Sequence, residues 1–275
     1  MLAATEWQGK TGEAWADEWR RTDRTLAPLN DALVARALPV AGRRILDVGC
    51  GAGATSFALA DSLPEAEVTG LDLSAALVAA ARGRIGSRSN VRFVEGDASS
   101  WTPDGGPFDL IVSRHGVMFF DDAVAAFAHL HRLAPRGRLL FSCFRGQAEN
   151  EWIMAMQPVI ARHAPEALAA PPAAAGPFAF AEAARIETIL RESGFAPPDL
   201  EPFDFDFVAG AGEDPLADAI AYFKRIGPMA RLLAALESEQ AKADFLADMK
   251  SVAAQRLRAD GIVFRAAAWL VSSRG

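Results

Sequence analysis

Three carboxylates, a run of glycines and one histidine sit where chemistry is possible. Asp47 stands two residues before Gly49 in Ile45-Leu46-Asp47-Val48-Gly49-Cys50-Gly51-Ala52-Gly53. Asp72 follows in Leu71-Asp72-Leu73-Ser74, Asp97 in Glu95-Gly96-Asp97-Ala98, and His115 in Ser113-Arg114-His115-Gly116. Glycines remove side chains where the backbone turns sharply and where a ligand must lie close against it. A helix starting directly after them offers free N–H groups and a partial positive charge. The turn therefore suits a polar or anionic small molecule. Asp47 adds a negative charge that benefits a ligand carrying a cation, such as an amino group or a sulfonium. An imidazole titrating near neutral pH can take a proton from a hydroxyl or amine nucleophile.

The surrounding pattern positions these groups. Apolar runs and helical periodicity predict strand 43–48, helix 53–62, strand 67–72, helix 74–85, strands 91–95 and 108–113, helix 121–132 and strand 138–144. Such alternation implies a doubly wound parallel sheet with helices on both faces. Ligands of such sheets bind outside the carboxyl ends of the strands. Asp47, Asp72, Asp97 and the segment from Ser113 to Gly116 all fall at those ends, so topology brings them together. Before the sheet, 12–38 reads as two helices. After it, 146–177 is rich in Ala and Pro (Pro158, Pro165, Pro171, Pro172, Pro177) and reads as one or two helices plus a loop. A helix at 180–193, a strand near 199–208, a helical stretch 213–259 broken at Gly227-Pro228 and a last strand 262–272 complete the chain.

The glycine turn alone is ambiguous. Gly49-x-Gly51-x-x-Ala54, with Asp72 about 20 residues on, also fits a dinucleotide-binding fingerprint. Five ordered segments separate the alternatives. Asp47-Val48-Gly49-Cys50-Gly51-Ala52-Gly53, Leu71-Asp72-Leu73-Ser74, Gly96-Asp97-Ala98, Phe108-Asp109-Leu110-Ile111-Val112-Ser113 and Leu133-Ala134-Pro135-Arg136-Gly137-Arg138-Leu139-Leu140 resemble the successive motifs of the class I S-adenosylmethionine-dependent methyltransferases. The last departs from the commoner Pro-Gly-Gly by one residue. The resemblance comes closest to the ubiquinone-biosynthesis-like, small-molecule branch. It implies a Rossmann-like α/β fold with a seven-stranded sheet, the last strand antiparallel, and helical cap insertions. It also implies S-adenosyl-L-methionine as cofactor. Asp47, Gly49, Cys50 and Gly51 would hold its methionine part and Asp72, with Leu73 beside it, its ribose hydroxyls. Asp97 and the Ala98 N–H would meet the adenine, and Ser113 would complete the cofactor set. By its position just past the fourth strand and its imidazole chemistry, His115 is the candidate catalytic residue; the alternative is a structural histidine or an adenosine-pocket contact. The domains expected are N-terminal helices or lid 1–40, cofactor core 41–145, insert and sixth strand 146–212, cap 213–260 and last core strand 261–275.

Composition narrows the acceptor. The 275 residues carry a net charge of −7, with 51% hydrophobic residues. No Lys/Arg cluster provides the dense positive charge that nucleic acid requires. No apolar run reaches the ~20 residues that span a bilayer, and 1–10 lacks the core of a signal peptide. The two cysteines and four histidines show no metal-ligand spacing, so no metal is expected. A small-molecule substrate in a cytoplasmic protein, monomer or homodimer, is the expectation. O-methylation of an apolar or aromatic hydroxyl or carboxyl compound is favoured. The alternatives are a non-catalytic S-adenosylmethionine-binding sensor or assembly protein, and a nicotinamide-dependent oxidoreductase. Trp101 can pack on adenine or in the core, and Arg114 can bind a substrate carboxylate or an acidic helix. His129 and His131 read as packing or surface residues. His163 reaches the site only if the insert folds over it. Trp7, Trp15 and Trp19 read as a lid or as packing on the sheet edge.

Overall fold

A computed structural model describes residues 4–169 and 175–275; Pro171 and Pro172 lie outside the described residues. Strands β1 (Arg44–Val48), β2 (Glu67–Asp72), β3 (Val91–Glu95), β4 (Leu110–Arg114) and β5 (Arg138–Phe144) pair in parallel. Three more follow: β6 (Asp199–Gly210), the two-residue β7 (Leu257–Arg258) and β8 (Gly261–Arg274). The sheet order is β3-β2-β1-β4-β5-β8-β6, with β7 paired to the side of β8. β8 is antiparallel to both β5 and β6. The seven long strands are those expected. β7 is an addition, formed where residues 257–258 turn back on β8 rather than continuing a helix to 259.

Burial follows the sequence logic. Sheets covered on both faces need continuous apolar strands, and β1 and β4 are buried almost throughout. β6 lies at an edge and alternates: Phe205 and Phe207 face the core while Asp204 and Asp206 face solvent. The strand order reverses between β2 and β4 on either side of β1, so the crevice opens beyond the end of β1.

Helices α5 (Ala54–Ser62), α6 (Ala75–Gly83) and α7 (Ala123–Leu133) are the crossovers. Ser74 caps α6 by accepting from the Leu77 N–H, and Asp122 caps α7 by accepting from Ala125. α1 (Ala4–Trp7) comes first, and the stretch 12–38 holds three short helices rather than two: α2 (Lys10–Asp17), α3 (Trp19–Thr25) and α4 (Ala27–Ala37). The insert holds α8 (Glu151–Met154), α9 (Gln157–His163) and α10 (Glu166–Ala169), followed by α11 (Ala183–Glu192). The cap is α12 (Pro215–Phe223), α13 (Gly227–Ala235) and α14 (Glu239–Ala254). Gly227-Pro228 starts α13, as a proline in a first helical turn should. A second break precedes α14, where the Ser238 hydroxyl accepts from the Ala241 N–H.

N-terminal helices and cap are tied together. Asp218 of α12 accepts from Arg21 at 2.6 Å and pairs with Arg24 at 2.8 Å. Arg225 reaches Asp17 at 2.6 Å. Burial alone would raise the Asp218 carboxyl, but Arg21, the Ala211 N–H and Arg24 together hold it below the usual carboxylate range.

Candidate active site

The turn after β1 is fixed from the next strand. Gly49 and Cys50 N–H groups donate to the Leu71 carbonyl at 2.8 and 3.1 Å. Gly49 has φ +65°, and a Cβ there would stand 2.7 Å from the Gly116 Cα. A side chain would therefore strain the backbone and push away the loop after β4. At Gly51, φ is +55° and nothing lies within 4 Å of a would-be Cβ. That open side belongs to a cavity of about 470 Å³ at the carboxyl ends of the strands. The volume is in the range of small-molecule and cofactor sites.

One end of the cavity is made by Gly49, Cys50, Gly51, Asp72, Leu73 and Asp97, with Ala98 beside them. Asp72 is 8% exposed; its Oδ2 accepts the Gly51 N–H at 2.8 Å and its Oδ1 the Ser74 N–H at 2.9 Å. A carboxylate has about four acceptor positions, so both oxygens retain lone pairs. Burial raises the Asp72 pKa, while the Ser74, Gly51 and Leu73 N–H groups oppose the rise. Asp97 is exposed, and its Oδ1 accepts from the Ser99 N–H and hydroxyl at 2.8 and 2.7 Å. This donor and acceptor set fits an adenosine-like ligand: an open glycine cradle, a buried carboxylate with free lone pairs at the end of β2 and a second carboxylate past β3.

Two residues assigned to the cofactor set by sequence lie elsewhere. Asp47 is 1% exposed and does not line the cavity. Its Oδ2 accepts from the Ser56 hydroxyl at 2.6 Å and its Oδ1 is buried without a partner. Burial pushes its pKa up to about 7 against the Ser56 hydrogen bond and the charge of Arg114. Ser113 is fully buried; it donates to the Val48 carbonyl at 2.7 Å and accepts from the Gly116 N–H at 3.2 Å. Both residues support the two loops from behind. Strand-end position placed them correctly, but it does not tell which way a side chain points.

His115 does line the cavity. It sits at φ +65°, the single described non-glycine residue with positive φ, a conformation that costs free energy and is held by its surroundings. Nδ1 pairs with the Ser142 hydroxyl at 3.1 Å, the ring lies 4.2 Å from Phe144, and Nε2 is buried without a partner. Burial pushes its pKa down to about 3, and Arg114 adds to that. The ring is therefore neutral at physiological pH. The sequence expectation of a titration near neutrality is corrected by this burial.

The other end of the cavity is aromatic. α1 to α3 contribute Trp7, Trp15 and Trp19, and α12 contributes Tyr222 and Phe223. Phe144, Trp152 and Phe207 close the floor, with Trp152 and Phe207 stacked at 5.5 Å. The last three escaped the sequence reading because each reads as ordinary core. Trp101 is core: it packs on Phe108 at 6.4 Å and its carbonyl meets His129 Nε2 at 2.7 Å. His131 packs on Phe195 at 5.0 Å. His163 pairs with Asp248 at 2.8 Å, away from the cavity walls. Among the described residues no group of side chains is arranged to hold a metal ion, and no helix is long and apolar enough to cross a membrane.

Residues 45–137, the stretch from β1 to the turn before β5, match the methyltransferase domain family. That stretch of the chain is similar to a methyltransferase domain. Over 137 residues it is 37% identical to trans-aconitate 2-methyltransferase of Streptomyces coelicolor, covering 47% of this chain and 45% of the relative. Over 101 residues it is 34% identical to malonyl-[acyl-carrier protein] O-methyltransferase 1 of Ilyobacter polytropus, covering 36% and 37%. The chain thus spans less than half the length of these curated relatives. The methyltransferase fold extends further. The crystal structure of magnesium protoporphyrin IX methyltransferase from Synechocystis PCC 6803 with bound SAH aligns over 94% of each chain, at TM-score 0.53 and 17% identity. The shared stretch holds the glycine turn, Asp72, Asp97 and His115. The aromatic walls from the N-terminal helices and the cap lie outside it.

Proposed function

We propose that the protein is an S-adenosylmethionine-dependent methyltransferase acting on a small, apolar or aromatic acceptor, with O-methylation favoured. One observation carries this reading: a single cavity joins the glycine turn and Asp72 at one end to Trp7, Phe144, Trp152 and Tyr222 at the other. A cofactor end without an acceptor end would have favoured a sensor. One relative is named for O-methylation, which supports that choice of atom.

In this reading Asp72 accepts the ribose hydroxyls and Asp97 the adenine amino group, with the Ala98 N–H beside it. Gly49, Cys50 and Gly51 let the amino-acid part lie against the backbone, and Leu73 flanks the ribose. The bound cofactor supplies a methyl group already activated by its sulfonium. The chain contributes alignment and exclusion of water. Neutral His115 is too weak a base at a pKa of about 3 to keep a proton from an alcohol. Its role is to orient the acceptor through Nε2, its ring fixed by Ser142. The protein is read as a cytoplasmic monomer or homodimer, without nucleic-acid or membrane partners.

The test is incubation with S-adenosylmethionine and a panel of phenols, carboxylic acids and amines, read as S-adenosylhomocysteine release and as mass gain of the acceptor. Turnover confined to oxygen nucleophiles is expected. Binding of the cofactor product with no transfer to any class would favour the sensor.

A further inference from the structure

Arg114 ends β4 and lines the cavity with a side chain only 11% exposed. Its nearest charged partner is Asp23 of α3, with Nη2 to Oδ1 at 3.6 Å, too long for a hydrogen bond. Nη1 is buried and has no partner. The other oxygen of Asp23 is already taken: Arg84 donates to Oδ2 at 2.8 Å while its Nη1 donates to the Ala52 carbonyl at 2.6 Å. Asp47 and Tyr222 feel the charge of Arg114, but no hydrogen bond joins either to it. Arg145, at 17% exposure, differs: its Nε is also without a partner, but both terminal nitrogens are ion-paired, with Asp204 at 2.8 Å and with Glu149. A nearly buried guanidinium without a hydrogen bond is expensive to maintain, and this one faces a ligand cavity.

A second atom agrees. The Trp7 indole Nε1 is also buried without a partner in a residue lining the same cavity. Indole and guanidinium nitrogens only donate. Both therefore require acceptor atoms from whatever fills the space.

We infer that Arg114 is a carboxylate-binding residue, and that the methyl acceptor is an organic acid whose carboxylate it holds. The inference rests on the methyltransferase reading above. A guanidinium offers a planar fork that matches a carboxylate in two parallel hydrogen bonds. The aromatic walls receive the apolar body of such an acid. The amino-acid end of the cofactor carries a carboxylate of the same chemistry, and the experiment separates the two sources.

Parent and Arg114→Gln are compared in two arms. The first measures dissociation constants for S-adenosylhomocysteine and for 5′-methylthioadenosine, which lacks the amino-acid end. The second measures kcat/KM for a set of aromatic and aliphatic acids and for their neutral primary amides. We expect unchanged affinity for both nucleosides. We expect kcat/KM for the acids to fall about 10- to 100-fold, mainly through KM, because charged hydrogen bonds are lost. The preference for acid over amide should vanish, and Arg114→Lys should restore part of it. An unaltered preference in a folded Arg114→Gln protein overturns the inference. Weaker S-adenosylhomocysteine with unaltered 5′-methylthioadenosine overturns it too, by giving Arg114 to the cofactor. If the parent transfers nothing, thermal stabilisation by the same acids in the S-adenosylhomocysteine complex replaces kinetics. Acid binding that depends on Arg114 then supports its carboxylate-binding role, while the transfer reading and the assignment of the acid as methyl acceptor fail.

Discussion

Asp72→Ala gives the sharpest quantitative test of the cofactor end. The side chain is 8% exposed, and both of its oxygens already accept a backbone N–H. Its pKa is raised, chiefly by burial, so the carboxylate is costly to hold without a ligand. Removing it relieves that cost while freeing the Gly51 N–H, which lines the cavity where water can reach it, and the Ser74 N–H, which is buried. The stability of the free protein should therefore change by only about 1 kcal/mol. Binding should change far more. Losing two charge-assisted hydrogen bonds to ribose hydroxyls removes roughly 2–4 kcal/mol, or about 30- to 1,000-fold in affinity. Thermal unfolding reads both quantities in one assay. S-adenosylhomocysteine at about 100 times the parent's dissociation constant stabilises the parent by about 2.7 kcal/mol. A variant binding about 100-fold more weakly gains only about 0.4 kcal/mol at that concentration. Equal ligand-induced stabilisation of the two proteins would refute the ribose assignment.

Asp47 and His115 should have opposite pH signatures. The Asp47 pKa is raised to about 7, so its contribution is present at low pH and lost as pH rises to about 7; Asp47→Asn should therefore gain stability relative to the parent over that interval in denaturant titrations, by at most about 4 kcal/mol. The His115 pKa is lowered to about 3, so its neutral form contributes above about pH 6.5 and the contribution fades as pH falls toward 3. His115→Gln should lower kcat by about 10-fold with no change in the shape of the pH profile from 6 to 9, and a shifted profile would restore the general-base role. Asp218→Asn removes the partner of Arg21 and Arg24; hydrogen exchange should quicken together in 19–25 and 215–223, and quickening in one segment alone would show that lid and cap are independent. Gly12→Ala places a Cβ 2.1 Å from the Trp7 carbonyl and 2.2 Å from the Ser74 hydroxyl; cofactor-product affinity should fall at least 10-fold with the core intact, and unchanged affinity would show that α2 does not close on that loop.

Much of this architecture is legible before any coordinates. The strands announce themselves because a sheet covered on both faces needs apolar runs, as 110–112 and 139–141 are. Asp72 declares itself by closing β2, and Asp97 by following Gly96 just past β3. What sequence does not carry is side-chain direction. Asp47 turns to Ser56 and Ser113 to the Val48 carbonyl, and a strand-end position is the same whether the side chain points in or back. Burial that depends on distant packing is equally silent. Nothing local to His115 shows that Phe144 will cover its ring, and that cover is what removes its neutral titration. Trp152 and Phe207 look like core because apolar cavity walls and apolar core obey the same composition rule. The extra break in 213–259 follows from the Ser238 cap, which periodicity overrides; the breaks within 12–38 have no side-chain cap to announce them.

The central claim is that the glycine turn after β1 holds S-adenosylmethionine rather than a dinucleotide. Calorimetric titration of the purified protein with S-adenosylhomocysteine and, separately, with NADH tests it most directly. The account predicts saturable one-site binding of S-adenosylhomocysteine and no heat from NADH at the same concentrations. Binding of NADH with no response to S-adenosylhomocysteine would contradict it.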